Sequence, residues 1–435
     1  MRSVRPTTNK FFLLLALSSL LLLLVVETKA QENSPYSRYG LGDLLPAQNI
    51  LSRAMGGLTS AYSDYQAVNF SNPASYTGLK INTLDIGLDY TSRTLRSLNP
   101  PKKFTSANLV PSYVQIGLPL SKKKEWGMNI GLRPVTRISY DIFTRTRIPN
   151  VDSIQYKYVG NGGTYQAFMG MAYGIKSLSL GFNAGYMFGT KEYSTRVAFI
   201  NDTVAYKSTN STDTSNFGGL FLNLGLQYKI KLSKDYTLKL GANANLKSTL
   251  KATQNSTREI VDFSPTEGLI SVDSVYKSQD QKGNIIYPGS WSAGVMLERN
   301  ENWMVGAEIN VEKWGDYRYY GLSDKLRNSW TARIGGQFMP NNKSTKYWER
   351  VVYSAGMIVG TDPIYFSKNV GYYAFTFGTR LPVRRNVYTN QYTTVNTAFE
   401  LGFRGNKTNE IRENIFRFSL GFNLSDIWFN KPKYQ

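Results

Sequence analysis

The chain has 435 residues, 51 Lys+Arg against 30 Asp+Glu, and neither histidine nor cysteine. That excludes disulfides, thiol and imidazole catalysis, His-bearing zinc sites and every hydrolase built on a Ser-His pair; no acid-base pair stands out, so no enzyme, metal or cofactor is expected. The formal charge of +21 suits lipid headgroups, lipopolysaccharide or an acidic partner, whereas the basic residues are dispersed and carry no nucleic-acid motif, so nucleic acid is not expected.

The first thirty residues read as a secretory signal peptide. Arg2, Arg5 and Lys10 precede the apolar run Phe11 to Val26, and small residues end the segment at Ala30. Sixteen apolar residues are short for a span of about twenty. After Gln31 no apolar run is long enough for a membrane helix. The remaining route across a membrane is the alternating β-barrel strand.

Residues 31–80 show no strand alternation. They carry Leu41, Leu44, Leu45, Ile50, Leu51, Met55 and Leu58 among glycines and aromatics. Near their end stands "SNPASYTGLK", in which Asn72 can cap a short helix that has Pro73 at its first position, where a missing N–H costs nothing.

From residue 81 to 435 the period is two. "LDIGLDY" sets Leu84, Ile86, Leu88 and Tyr90 against Asp85, Gly87 and Asp89, and "LSLGFNAGYMF" repeats the arrangement. Fourteen such segments begin near residues 82, 107, 126, 164, 178, 217, 237, 287, 303, 328, 351, 370, 392 and 414. The connections alternate: short polar turns such as Ser121 to Glu125 and Leu232 to Tyr236, then long loops near 143–162, 199–215 and 253–286. An even number of strands with this rhythm predicts an all-β fold, a fourteen-stranded antiparallel transmembrane barrel integral to the outer membrane of a Gram-negative bacterium. Trp126, Trp303, Trp330, Trp428 and "KWGDYRYYG" (Lys313 to Gly321) are expected to form an aromatic girdle. With the apolar face toward lipid, alternation turns Asp85, Asp89, Arg133, Arg137, Asn183, Lys239, Asn243, Lys247, Glu308, Glu312, Arg333, Arg380, Glu400, Arg404 and Arg417 inward.

A lumen so charged needs partners. The compact segment 31–80 is therefore expected to fold into it as a plug containing small helices, with Arg38, Asp43, Arg53 and Asp64 meeting wall residues of opposite sign. "RAMGGLTSAYSDYQAVNFSNPAS" (Arg53 to Ser75) resembles the N-terminal hatch of the long-chain fatty-acid outer-membrane transporter (FadL-type) family. The matching positions are Arg53, Ala54, Gly56, Gly57, Ala61, Asp64, Asn72, Pro73 and Ala74. The resemblance implies a fourteen-stranded barrel with an inward hatch, and it implies uptake of hydrophobic or amphipathic molecules such as long-chain fatty acids. The polar lumen departs from that pattern. Some relatives of the family act instead as non-enzymatic partner barrels in outer-membrane secretion or assembly complexes, which is the alternative reading; the partners then include other outer-membrane proteins. Finally, Ser153, Thr203 and Ser274 stand in Asp-Ser/Thr-aliphatic triplets that resemble acceptors of O-linked glycans; ordinary polar loop composition also accounts for them.

Overall fold

The computed structural model describes residues 34–426 apart from 100, 122–124, 150–151, 201–203, 205, 265, 267, 301, 342, 367 and 387–390. The expected signal peptide, Thr203 and Trp428 lie outside the described residues. The chain begins with a 3-10 turn at Pro35–Arg38, a two-residue strand β1 (Asp43–Leu44), a single-turn helix α1 (Ile50–Ala54) and a second 3-10 turn at Pro73–Gly78. Strands follow almost without interruption: β2 (Asn82–Ser97), β3 (Lys103–Pro119), β4 (Trp126–Arg147), β5 (Ser153–Ile175), β6 (Leu178–Ile200) and β7 (Ser208–Lys231). Next come β8 (Tyr236–Asn245), β9 (Ser248–Ser264), β10 (Gly268–Tyr287), β11 (Ser290–Arg299), β12 (Trp303–Glu312) and β13 (Arg318–Tyr319). The last are β14 (Ser329–Phe338), β15 (Val352–Phe366), β16 (Lys368–Asn386), β17 (Gln391–Arg404) and β18 (Ile411–Asp426).

These strands make fourteen staves. β8 continues as β9 across Leu246 and Lys247, β10 continues as β11 across Pro288 and Gly289, and β13 is an appendage paired to β10. Neighbours pair antiparallel throughout, and β18 pairs with β2 from Ile411↔Ser97 to Asp426↔Asn82, which closes the barrel. Closure leaves no sheet edge along that seam, as a spanning sheet requires. The alternation sorts the side chains as the sequence reading expects: Asp85, Gly87 and Asp89 are buried, while Ile130, Leu180 and Phe182 are exposed on the outer face.

The barrel is lopsided. β4 to β7 run 22 to 24 residues, whereas β12 and β14 have 10 each. Ten tilted residues suffice to cross hydrocarbon. The surplus dozen, at about 3.3 Å each along a strand tilted about 40°, carries the tall side roughly 30 Å beyond it. The long loops expected near 143–162, 199–215 and 253–286 are thus mostly strand, in hairpins turning at 148–152, 201–207 and 265–267. Apolar alternation stops where the wall leaves lipid, but the hydrogen-bonded ladder continues through polar residues, which the pattern cannot signal. Ser153 accordingly opens β5, and Ser274 lies in β10 opposite Glu259.

Two further expectations are corrected. Trp126 and Trp330 are exposed on the outer face, as a girdle requires, but Trp314 and Tyr317 are buried against Leu41, Leu250 and Ile285. After Glu312 the chain leaves the wall and folds inward over the plug. Lys247 is exposed and lies outside both strands where the β8–β9 stave breaks, so the alternation that placed it in the lumen does not run through it.

Candidate functional site: the plug and its seat

Residues 34–81 lie inside the barrel and contain most of the fully buried side chains, among them Ile50, Leu51, Met55, Tyr62 and Tyr76. So little regular structure leaves many backbone groups to be satisfied by the wall. Asn49 caps α1 by accepting from the Ser52 N–H at 2.9 Å. Asn72 caps the Pro73 turn, its side-chain oxygen accepting from the Ala74 N–H at 3.1 Å. Wall amides supply the rest: Gln115 donates to the Val68 carbonyl at 2.9 Å, Asn183 to Phe70 at 2.9 Å, and Gln227 to Ser60 and Tyr62 at 3.0 Å.

The charged residues meet as opposites. Arg53 bridges Asp89 at 2.6 Å and also donates to the Gln48 carbonyl and the Ser112 hydroxyl. Asp64 accepts from the Gln66 and Ala67 N–H groups at 2.8 and 2.7 Å and pairs with Arg380 at 2.9 Å. Asp43 pairs with Arg93 and with Arg404 at 2.9 Å. Glu308, held by Arg333 at 3.1 Å, accepts from the N–H groups of Thr59 and Ser60 at 2.7 Å each. Glu400 and Arg417 pair within the wall at 2.7 Å. Burial pushes the Asp43 carboxyl up, and the Arg404 and Arg93 guanidinia more than reverse that, holding it at about 2. Arg38 has a different role from the one expected: its guanidinium lies 5.7 Å from the Tyr158 ring centroid.

The hatch motif is therefore a set of fastenings. Gly56 and Gly57 adopt φ of +76° and +77°, a region that side chains disfavour, and the Gly56 N–H reaches the Thr376 hydroxyl at 2.8 Å. Pro73 and Ala74 press on the wall where inward-facing glycines admit them. A Cβ at Gly127, Gly181, Gly225, Gly241, Gly335 or Gly356 would overlap plug atoms from Tyr76, Pro73, Asn72, Ser60, Met55 or Gly56 in turn. Glycine in a strand commonly marks close approach of another backbone. Here it forms a collar around the plug.

The wall parts between β3 and β4. β3 and β4 pair only from Val114↔Leu132 to Pro119↔Gly127, although β3 stays paired with β2 up to Lys103 and β4 with β5 up to Arg147. Pro111 and Pro134 stand just beyond the last rung, and proline has no N–H to continue a ladder. Beyond it the β4 edge pairs with the plug instead, through Asp43↔Arg137 and Leu44↔Thr136, flanked by N–H donation from Leu45 to Val135 and from Ser34 to Ser139.

Sequence reading missed Arg93 and Glu413, which join Asp43 and Arg404 in one buried cluster. The signal was present: Arg93 shares parity with Asp85 and Asp89, and Glu413 with Arg417.

Solved structures share this architecture. The toluene transporter TodX of Pseudomonas putida superposes with a TM-score of 0.55 at 18% identity, covering 88% of this chain and 99% of that one. The toluene transporter TbuX of Ralstonia pickettii gives 0.56 at 13%, covering 88% and 99%. A FadL homologue of Pseudomonas aeruginosa gives 0.53 at 12%, covering 88% and 98%. The likeness is one of fold: the protein has the FadL-like β-barrel architecture, with its lumen plugged. No curated protein matches. The BamG family model matches residues 13–435, and the chain belongs to the BamG family.

Proposed function

We propose that the protein works by contact rather than by flux, as a non-enzymatic partner barrel in an outer-membrane protein secretion or assembly complex of a Gram-negative bacterium. The observation that carries this reading is the fastening of the plug. Asp43, Arg53 and Asp64 are all buried and paired with wall charges. Separating one buried pair while its charges stay out of water costs about 3–5 kcal/mol, so a shift of the plug within the lumen that breaks all three before water enters costs on the order of 10 kcal/mol. That is close to the entire binding free energy of a nanomolar ligand, and a ligand shifts an equilibrium only by its differential affinity. A hatch that must move each time a molecule passes would not be built this way.

The parted wall between β3 and β4 favours a second reading, uptake of hydrophobic molecules such as long-chain fatty acids through the side of the barrel. The two readings separate in one experiment on tagged protein extracted in mild detergent from its own membranes. Stoichiometric co-purification of other outer-membrane proteins, with no saturable binding of a labelled long-chain fatty acid, supports the partner barrel. Isolation of the barrel alone with saturable fatty-acid binding would establish transport in its place.

A further inference from the structure

Six arginines of the lumen end on carboxylates: Arg53, Arg93, Arg333, Arg380, Arg404 and Arg417. Arg133, on the inner face of β4, is held differently. Its Nε and Nη2 both donate to Gln166 Oε1, at 3.1 and 2.8 Å, and its guanidinium carbon lies 5.1 Å from the centroid of the Phe70 ring. Its Nη1 is buried and has no hydrogen-bond partner among the described residues. A charged donor so placed needs an acceptor that the protein itself does not supply.

The space around it is not filled by protein. Arg133 lines a cavity of about 80 Å³ together with Phe70, Asn223 and Asn243, and another of about 100 Å³ with Met187 and Tyr287. Gln166, Phe221, Asn245, Ser290 and Glu312 line both, so the two are parts of one space around the guanidinium. Two acids border it, and both are engaged elsewhere. Glu308 takes Arg333 and the Thr59 and Ser60 N–H groups. Glu312 accepts from Asn310 at 3.1 Å and from the Trp314 indole at 2.6 Å.

We infer that this space is an anion site in which Arg133 Nη1 binds a halide or a small carboxylate, the counter-ion that no described acid supplies. At roughly 30 Å³ per water, cavities of about 80 and 100 Å³ hold a small anion together with several waters. The amides of the wall suit a hydrated monoanion. The plug, through Phe70, closes over it.

Crystals of the full mature chain soaked in sodium bromide test the site. The expected result is an anomalous peak within about 3.5 Å of Nη1, hydrogen-bond range, and its loss in Arg133→Gln, whose barrel still runs as the compact heat-modifiable form. Density for a carboxylate at the same atom, resistant to bromide, also supports the site and identifies the alternative source of the anion. Water alone at Nη1 in bromide, or a peak that survives in Arg133→Gln, overturns it. Should the variant not fold, the wild-type soak decides by itself.

Discussion

Asp64 of the plug and Arg380 of the wall form one of the buried charge pairs that fasten the plug. Burial pushes the Asp64 carboxyl up, and the Arg380 guanidinium, followed by the Ala67 and Gln66 N–H groups, brings it below its ordinary value. Asp43 behaves likewise. A carboxyl depressed in the docked state stabilises docking fully above its free value of about 3.9, and the contribution fades as pH falls through the docked value. Protease sensitivity of the plug should therefore be flat from about pH 8 to 5 and rise only below about pH 4. Asp64→Asn can still accept the two backbone N–H groups but leaves Arg380 buried without a counter-charge, a loss of about 3–5 kcal/mol. Limited proteolysis should then cut the plug of that variant at neutral pH while the wall stays intact; an uncut plug would show that the pair does not hold it. Both residues were legible beforehand, Arg380 by alternation and Asp64 from the hatch motif. Arg93 and Glu413 have the same parity signal but needed the plug's position to give them meaning.

The elements were legible at their lipid-facing middles and not at their ends. Each of the fourteen segments read from the sequence falls in its own stave, because a wall between lipid and a polar interior imposes period two. Beyond the hydrocarbon both faces of a hairpin meet water and the pattern vanishes. β10 shows this, its upper half being exposed on both faces. The opposite difficulty arose after Glu312, where aromatics suited to a girdle pack inward instead. The breaks at Leu246–Lys247 and Pro288–Gly289 adjoin across the sheet, since Asn245 pairs with Ser290 and Ser248 with Tyr287; only the proline announces one in advance. This arrangement assigns the tall hairpins to the cell exterior and the Leu232–Tyr236 turn to the periplasm; β18 ends on the periplasmic side, whereas Ser34 and Tyr36, bonded to Glu413 and to the Ile411 carbonyl, lie toward the tall-hairpin end of the lumen. An epitope inserted at Ser208 or Gln279 should be labelled on intact cells, and one at Asp235 only after permeabilisation. Labelling at Asp235 on intact cells would invert the orientation.

As a whole the molecule is a wall and a stopper made for each other. The collar of glycines and the amides that meet plug carbonyls grip residues 49–78, and the paired charges extend the hold along the lumen, from Asp64 on Arg380 to Asp43 on Arg93 and Arg404 at the tall-hairpin end. The ring itself closes without the stopper, since β18 pairs with β2, and only the β4 edge from Val135 to Ser139 loses backbone partners when the plug is absent. Removing residues 34–78 should thus leave an assembled barrel whose lumen charges face water. Planar-bilayer conductance tests this most directly. The account predicts that the intact protein conducts little and that the deleted form opens a stable, ion-conducting pore. Equal conductance of the two would mean that this segment does not seal the lumen.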